Sequence, residues 1–231
     1  MTDRGQSAII GVAVLLAVTV VSITALTVAV GSVVDESATA AESRSVASAM
    51  GDALDTERSG PHERRLPVAE GRLRTVERTV RLLDGTEPVV ERSVGGLVYA
   101  AGDHRVRYVA GGTVRDTGSG ARLHTPPPVS TRNRALFVGL PVLDADAVAV
   151  DGDAVLRTNV THERRRLSGR GFGLAVETRT PGVWERRFDA VGATTTRRSF
   201  DDDGVPSVVA RFPDVEEVYL FVHDLNVEVG G

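Results

Sequence analysis

Apolar and polar positions follow two rhythms along this chain, and the change falls near residue 60. From Ala8 to Val34, 27 consecutive positions carry no charged side chain. At 1.5 Å per residue that run makes a helix of about 40 Å, against a hydrocarbon slab of about 30 Å. Val46, Ala49, Met50, Ala53 and Leu54 then recur at helical spacing, with Arg44, Asp52 and Asp55 on other faces. This predicts an amphipathic stem docked on the head domain. A coiled-coil partner is the weaker alternative, because the pattern lasts barely two heptads. Ser59-Gly60-Pro61 ends the helix, since Pro cannot continue it and Gly relaxes it.

From Leu66 onward the period shortens to two. Val106, Tyr108 and Ala110 alternate with Arg105, Arg107 and Val109, and Phe172, Leu174 and Val176 with Gly173, Ala175 and Glu177. Tyr219, Phe221, Leu225, Val227 and Val229 share a parity, opposite Asp224, Asn226 and Glu228. One apolar and one polar face per strand predicts a half-buried antiparallel sheet. Turn signals recur at Asp84-Gly85, Gly95-Gly96, Gly111-Gly112, Asp151-Gly152 and Asp203-Gly204. The stretch Gly111–Arg134, with Gly118-Ser119-Gly120 and Pro126-Pro127-Pro128, reads as a long surface loop. One short helix is expected after Thr180 as N-cap and Pro181 as first helical residue, stopping at Gly192. Its Trp184, Phe188 and Val191 share a face, so Trp184 reads as core rather than as a ligand-stacking residue. The expected fold is α+β: a long N-terminal transmembrane helix, then a mainly antiparallel β-sandwich or partly closed barrel with one short helix. Residues 1–60 form the helix and stem, and residues 61–231 an extracytoplasmic β-rich domain.

Four fates suit the first helix. A cleaved signal peptide has a shorter apolar stretch, although Ala38-Thr39-Ala40 supplies a small-residue cleavage site. An uncut anchor and a core helix of a soluble protein are the second and third, the latter needing a large protein around it. The fourth is a processed helix. Arg4-Gly5-Gln6-Ser7, set directly against the apolar run, resembles the class III signal of archaeal type IV pilins and archaellins. That resemblance covers about the first 55 residues. It implies a peptidase cut between Gly5 and Gln6, with the helix kept on the mature chain. In that family the helix holds the subunit in the lipid bilayer and later packs in a filament core with other pilin-like subunits. Ile10 stands at the fifth position after the cut, where the bacterial pattern has Glu. The chain as a whole resembles pilin-like membrane proteins of halophilic archaea. Arg4 before the run and Asp35, Glu36 and Glu42 after it place the N-terminus in the cytoplasm and the C-terminal part outside.

Composition narrows the chemistry. All 27 basic residues are Arg, and the net charge is −4. Residues 1–60 hold 7 acids and 3 Arg, whereas residues 61–231 hold 24 of each. No basic surplus is available to follow a phosphate backbone, so no nucleic acid is expected. The absence of Cys removes disulfides, thiolate catalysis and Cys-ligated zinc.

Candidate sites fail one by one. His162-Glu163-Arg164-Arg165-Arg166 and His62-Glu63-Arg64-Arg65-Leu66 begin like a zinc-protease helix but lack the second His one turn on. His223 lies on the apolar parity of the last strand and reads as a core residue, while His104 and His124 sit beside turns. No nucleophile elbow, Ser-x-x-Lys or phosphate loop is present. Gly169, Gly171 and Gly173 lead into a strand. Asp201-Asp202-Asp203-Gly204 resembles part of a calcium loop, but Phe212 occupies its twelfth position. Asp144, Asp146, Asp151 and Asp153 flank a short strand. Asn159-Val160-Thr161 is a sequon whose Asn159 shares the solvent parity, an acceptor for glycosylation. No enzyme and no cofactor is expected. The expected function is a pilin-like, membrane-anchored surface subunit, structural, adhesive or accessory to a filament. A stand-alone anchored binding or sensing module competes, and an exported hydrolase is the remaining class.

Overall fold

The computed structural model describes residues 3–57, 59–69, 71–201 and 203–230; within the first helix, side chains are described at 15–22, 26, 34 and from 36 onward. Helix α1 runs Asp3–Ala53. The first strands are β1 (Gly60–Leu66), β2 (Arg72–Val76), β3 (Thr79–Asp84), β4 (Glu87–Ser93), β5 (Gly96–Ala101) and β6 (His104–Val109). Next come β7 (Gly112–Asp116), β8 (Ala121–Thr125), β9 (Val129–Arg132), β10 (Ala135–Val142), β11 (Ala149–Asp151), β12 (Ala154–Ser168) and β13 (Phe172–Glu177). Helix α2 (Pro181–Asp189) precedes β14 (Thr194–Arg198), β15 (Ser207–Phe212), β16 (Glu217–Asp224) and β17 (Glu228–Gly230).

Two features correct the expected fold class. First, among the described residues no helix is long and apolar enough to cross a membrane. The described outward positions of α1 turn polar at Glu36, Glu42 and Arg44. Its last turns are then taken up by the β structure: Val46, Ala47, Met50 and Ala53, with Leu54 after them, are buried among strand residues. At about 1.5–3 kcal/mol per large apolar side chain, Val46, Met50 and Leu54 make this docking substantial, as the helical spacing predicts. Second, the described strands are not confined to the two sheets of a simple sandwich. They make three sheets, β1-β12-β16-β10-β9 with β17 also on β12, β11-β2-β5-β6-β7-β8, and β14-β15-β13-β3-β4. The pairing is antiparallel except between β10 and β16. The chain divides into two units, Met1–Ala41 and Glu42–Gly231.

The three-sheet layout follows from strands that feed more than one core. In the 15-residue β12, Ala154, Leu156 and Val160 enter one core with Met50, Leu73 and Tyr99. Past Val160 the pairing passes from β1 to β16, and Leu167, of the other parity, packs on a second core opposite Val218. Strand β16 does the same: Val218, Leu220 and Val222 enter the second core, and Leu225 and Val227 beyond its end enter the first. The sequence parity of this segment therefore caught only one of two apolar faces. Tyr219 and Phe221, on the predicted face, are only half-buried, with Tyr219 stacked on Phe137 at 5.1 Å.

Strand β13 is buried at every position rather than at alternate ones. It lies between β15 and β3, with Phe172, Leu174 and Val176 in one cluster and Ala175 against Leu83 and Val209 on the other face. The expected loop 111–134 instead holds β7, β8 and β9. The first turns on Ala110 and Gly111 (φ 46° and 80°), the last on Asn133 and Arg134 (φ 50° and 61°). Both are tight two-residue hairpin turns with left-handed backbone. Helix α2 begins at Pro181 as expected, but Thr180 does not cap it. Its hydroxyl is turned to the Thr178 hydroxyl, 3.3 Å away. Trp184 and Phe188 are buried in the second core. Gly112 makes room for the indole: a Cβ there would lie 2.9 Å from its ring carbons.

Candidate functional site

The paired strands β12 and β16 bring together two histidines that lie 61 positions apart. His162 and His223 are register partners. Directly opposed residues in an antiparallel pair project to the same side, with Cβ atoms about 5 Å apart. Their Nδ1 atoms are 2.8 Å apart, and the rings meet edge to face at 5.0 Å and 83°. On the far side of His162, Nε2 is 2.8 Å from the Ser59 hydroxyl, which lies beyond the end of α1. His162 and Ser59 are exposed and His223 is half-buried. Burial, and then the neighbouring His162, push the His223 pKa below its ordinary value, with Asp224 pulling the other way.

Two proton arrangements satisfy this line. Either Ser59 donates to His162 Nε2 and His162 Nδ1–H donates to His223, or His162 Nε2–H donates to Ser59 and His223 Nδ1–H donates to His162. The order hydroxyl–imidazole–orienting group resembles that of acyl-transfer sites. Such chemistry also needs aimed N–H donors and a substrate-enclosing cleft. Ser59 and His162 lie open to solvent, which suits coordination and proton exchange better. The pair was hidden in the sequence because its halves are brought together only by strand register. It corrects the reading of His223 as a core residue: the parity assigned to it is the half-exposed one at that point of β16.

The other candidates separate. Both His-Glu-Arg-Arg segments are strands, His62 in β1 and His162 in β12. His62 Nδ1 donates to its neighbouring Pro61 carbonyl at 2.5 Å. His104 is 8% exposed, and its Nδ1 has no hydrogen-bond partner among the described residues. His124 Nε2 is 3.3 Å from the Ser48 hydroxyl, and burial followed by Arg115 lowers its pKa. Asp151, Asp153, Asp201 and Asp203 of the acidic turns are engaged in ion pairs and turn contacts. Asp151 takes two hydrogen bonds from Arg72 at 2.7 and 2.9 Å. Asp201 accepts from Arg81 at 2.8 Å, and Asp203 accepts the Val205 N–H at 2.9 Å. Asp202 lies outside the described residues. Among the described residues no group of three or more His, Asp or Glu converges as a metal-ligand set.

Asn159 is exposed in β12, where its N–H donates to the Leu225 carbonyl at 2.8 Å and its own carbonyl accepts from Asn226. It borders a cavity of about 330 Å³ whose wall includes the Glu63–Arg157 ion pair at 2.9 Å. Gly5 and Gln6 fall within α1, but their side chains lie outside those described.

Two buried arginines brace the sheet of β3 and β13. Arg78 meets Glu177 at 3.3 Å, with side chains 11% and 6% exposed. Glu177 also accepts the Thr79 N–H at 3.0 Å. Burial pushes the Glu177 carboxyl up and the Arg78 guanidinium down in pKa, each against the pull of its partner. Arg81 holds Glu91 and Asp201 and lies 4.6 Å from the Phe200 ring, fastening the turn after β14. These contacts are structural ties within the fold.

No curated protein and no solved structure matches the chain. One family model does, across residues 4–228, and so nearly from end to end. The chain belongs to that family, a family of unknown function designated DUF7289.

Proposed function

We propose that the protein is a pilin-like cell-surface subunit, held at the surface by its N-terminal segment and carrying its β-rich part outside the cell. One observation carries the reading: Arg4-Gly5-Gln6-Ser7 stands directly before 27 residues without a charge. Support comes from α1, where Leu15, Leu16, Val21 and Leu26 are 60–70% exposed. Apolar side chains repeated along one helix call for a cover from outside the chain. In this reading the cover is the same helix of other subunits, and the peptidase that cuts before Gln6 is the first partner. Asn159, exposed on β12, is the residue that would carry a surface glycan.

N-terminal sequencing of the protein from its native cell tests the proposal. A start at Gln6, and a slightly longer species once the processing peptidase is deleted, is the expected result. A start at Met1 or Ala41, or no size change on deletion, refutes it.

A further inference from the structure

We propose that His162 and His223 form a two-histidine chelate for a single copper(II) ion on the outer surface of the β12–β16 pair. Their Nδ1 atoms are 2.8 Å apart. Metal–imidazole bonds of about 2.0–2.1 Å hold two nitrogens about 2.8–3.0 Å apart when they meet at a right angle, and about 3.3–3.4 Å apart at the tetrahedral angle. The observed spacing fits adjacent corners of a square-planar site and is about half an ångström short for a tetrahedral one. Square-planar nitrogen coordination selects copper(II) or nickel(II) over zinc, and copper binds more tightly of the two. Hard cations such as calcium and magnesium want oxygen ligands.

The frame is set in advance. The two histidines face each other within eight consecutive register pairs from Thr161↔Asp224 to Ser168↔Glu217. Binding therefore keeps this register and turns each ring so that its Nδ1 lone pair leaves the line between the two nitrogens and points at the ion. Ser59 lies 2.8 Å from His162 Nε2, the nitrogen left over when Nδ1 holds a metal. Metal-bound histidines characteristically donate that second N–H to an oxygen, which fixes the tautomer. Without metal, one proton lies between the two Nδ1 atoms. With metal, both Nδ1 atoms turn lone pairs to the ion, each ring keeps its single proton on its own Nε2, that of His162 pointing at Ser59, and water fills the open corners.

The test is titration of the full-length protein with copper(II) at neutral pH, followed by electron paramagnetic resonance. One equivalent should bind with the hyperfine pattern of two imidazole nitrogens. His162→Ala and His223→Ala should each lower affinity by about 100-fold or more. Ser59→Ala should lower it by about 10-fold, the range for a lost outer hydrogen bond. His62→Ala should leave it unchanged. His162 is exposed, so its variant is expected to fold as the parent does, and a thermal melt checks this. Unchanged affinity in His162→Ala, a one-nitrogen spectrum, or tighter binding of zinc than of copper overturns the proposal.

Discussion

Replacing Met50 by Ala probes whether the two cores unfold as one. Met50 is fully buried in the last turns of α1, in the same cluster as Val46, Leu54, Leu73, Tyr99 and Leu156. The substitution removes three heavy atoms beyond Cβ, about 2 kcal/mol of transfer free energy, and the unfilled space adds about 1 kcal/mol more. A loss of about 3 kcal/mol corresponds to a fall of about 6–12 °C in Tm for a unit of this size. In urea it moves the midpoint down by about 1 M or more. The reporter is Trp184, the only tryptophan, which lies in the other core. Because β12, and β16 with the segment that follows it, supply residues to both cores, the Trp184 fluorescence midpoint should fall together with the far-ultraviolet circular dichroism midpoint. A Trp184 transition that stays in place while circular dichroism shifts would refute the claim that the shared strands couple the cores.

Gly112→Ala, which sets a Cβ 2.9 Å from the indole of Trp184, should cost about 1–3 kcal/mol and alter the near-ultraviolet circular dichroism of the tryptophan. His223 has a folded pKa below its ordinary value, so the unfolded chain takes up this proton first. Its share of stability is present above about pH 6.5 and is lost as pH falls through the folded pKa; His223→Ala should flatten that part of a Tm–pH profile. Glu185, whose carboxyl is held below the usual range by hydrogen bonding from Arg197, contributes above about pH 4.3. It loses that contribution on acidification, so Glu185→Gln should reduce the slope of Tm against pH below that point. Asn159→Gln should remove a glycan-sized mass from the protein made in its native cell, and an identical mass for both forms would count against occupancy.

The parts of the fold that could be read from residue order are those governed by local rules. The alternation of Val106 and Tyr108 with Arg105 and Arg107 does mark β6, and Pro181 does open α2. The spacing of Val46, Met50 and Leu54 does mark a buried helix face. The misread parts depend on partners distant in sequence. A strand covered on both faces, as β13 is, has no polar parity to expose, and Glu177 is buried there because Arg78 and the Thr79 N–H meet it. The hairpin at Asn133-Arg134 lacks the glycine that announces such turns. The membrane-length reading of α1 weighed only the charge-free run from Ala8 to Val34. The His162–His223 pair could have been found only from the β12–β16 register, because neither residue has a chemical partner nearby in the chain.

The way α1 ends has a mechanical side. A pull along this helix is met by the hydrogen bonds of Glu42 and Ser43 to Ala69 and Arg115, and then by Val46, Met50 and Leu54, whose side chains are wedged among strand residues. Tension is resisted there over a broad contact before it loads the chain leading into β1, and strand β12 then divides the remaining load between two interiors. Anchorage of this kind gives way by shearing many contacts at once instead of unzipping hydrogen bonds in turn, so the fold should withstand a higher load than its antiparallel edges alone would permit.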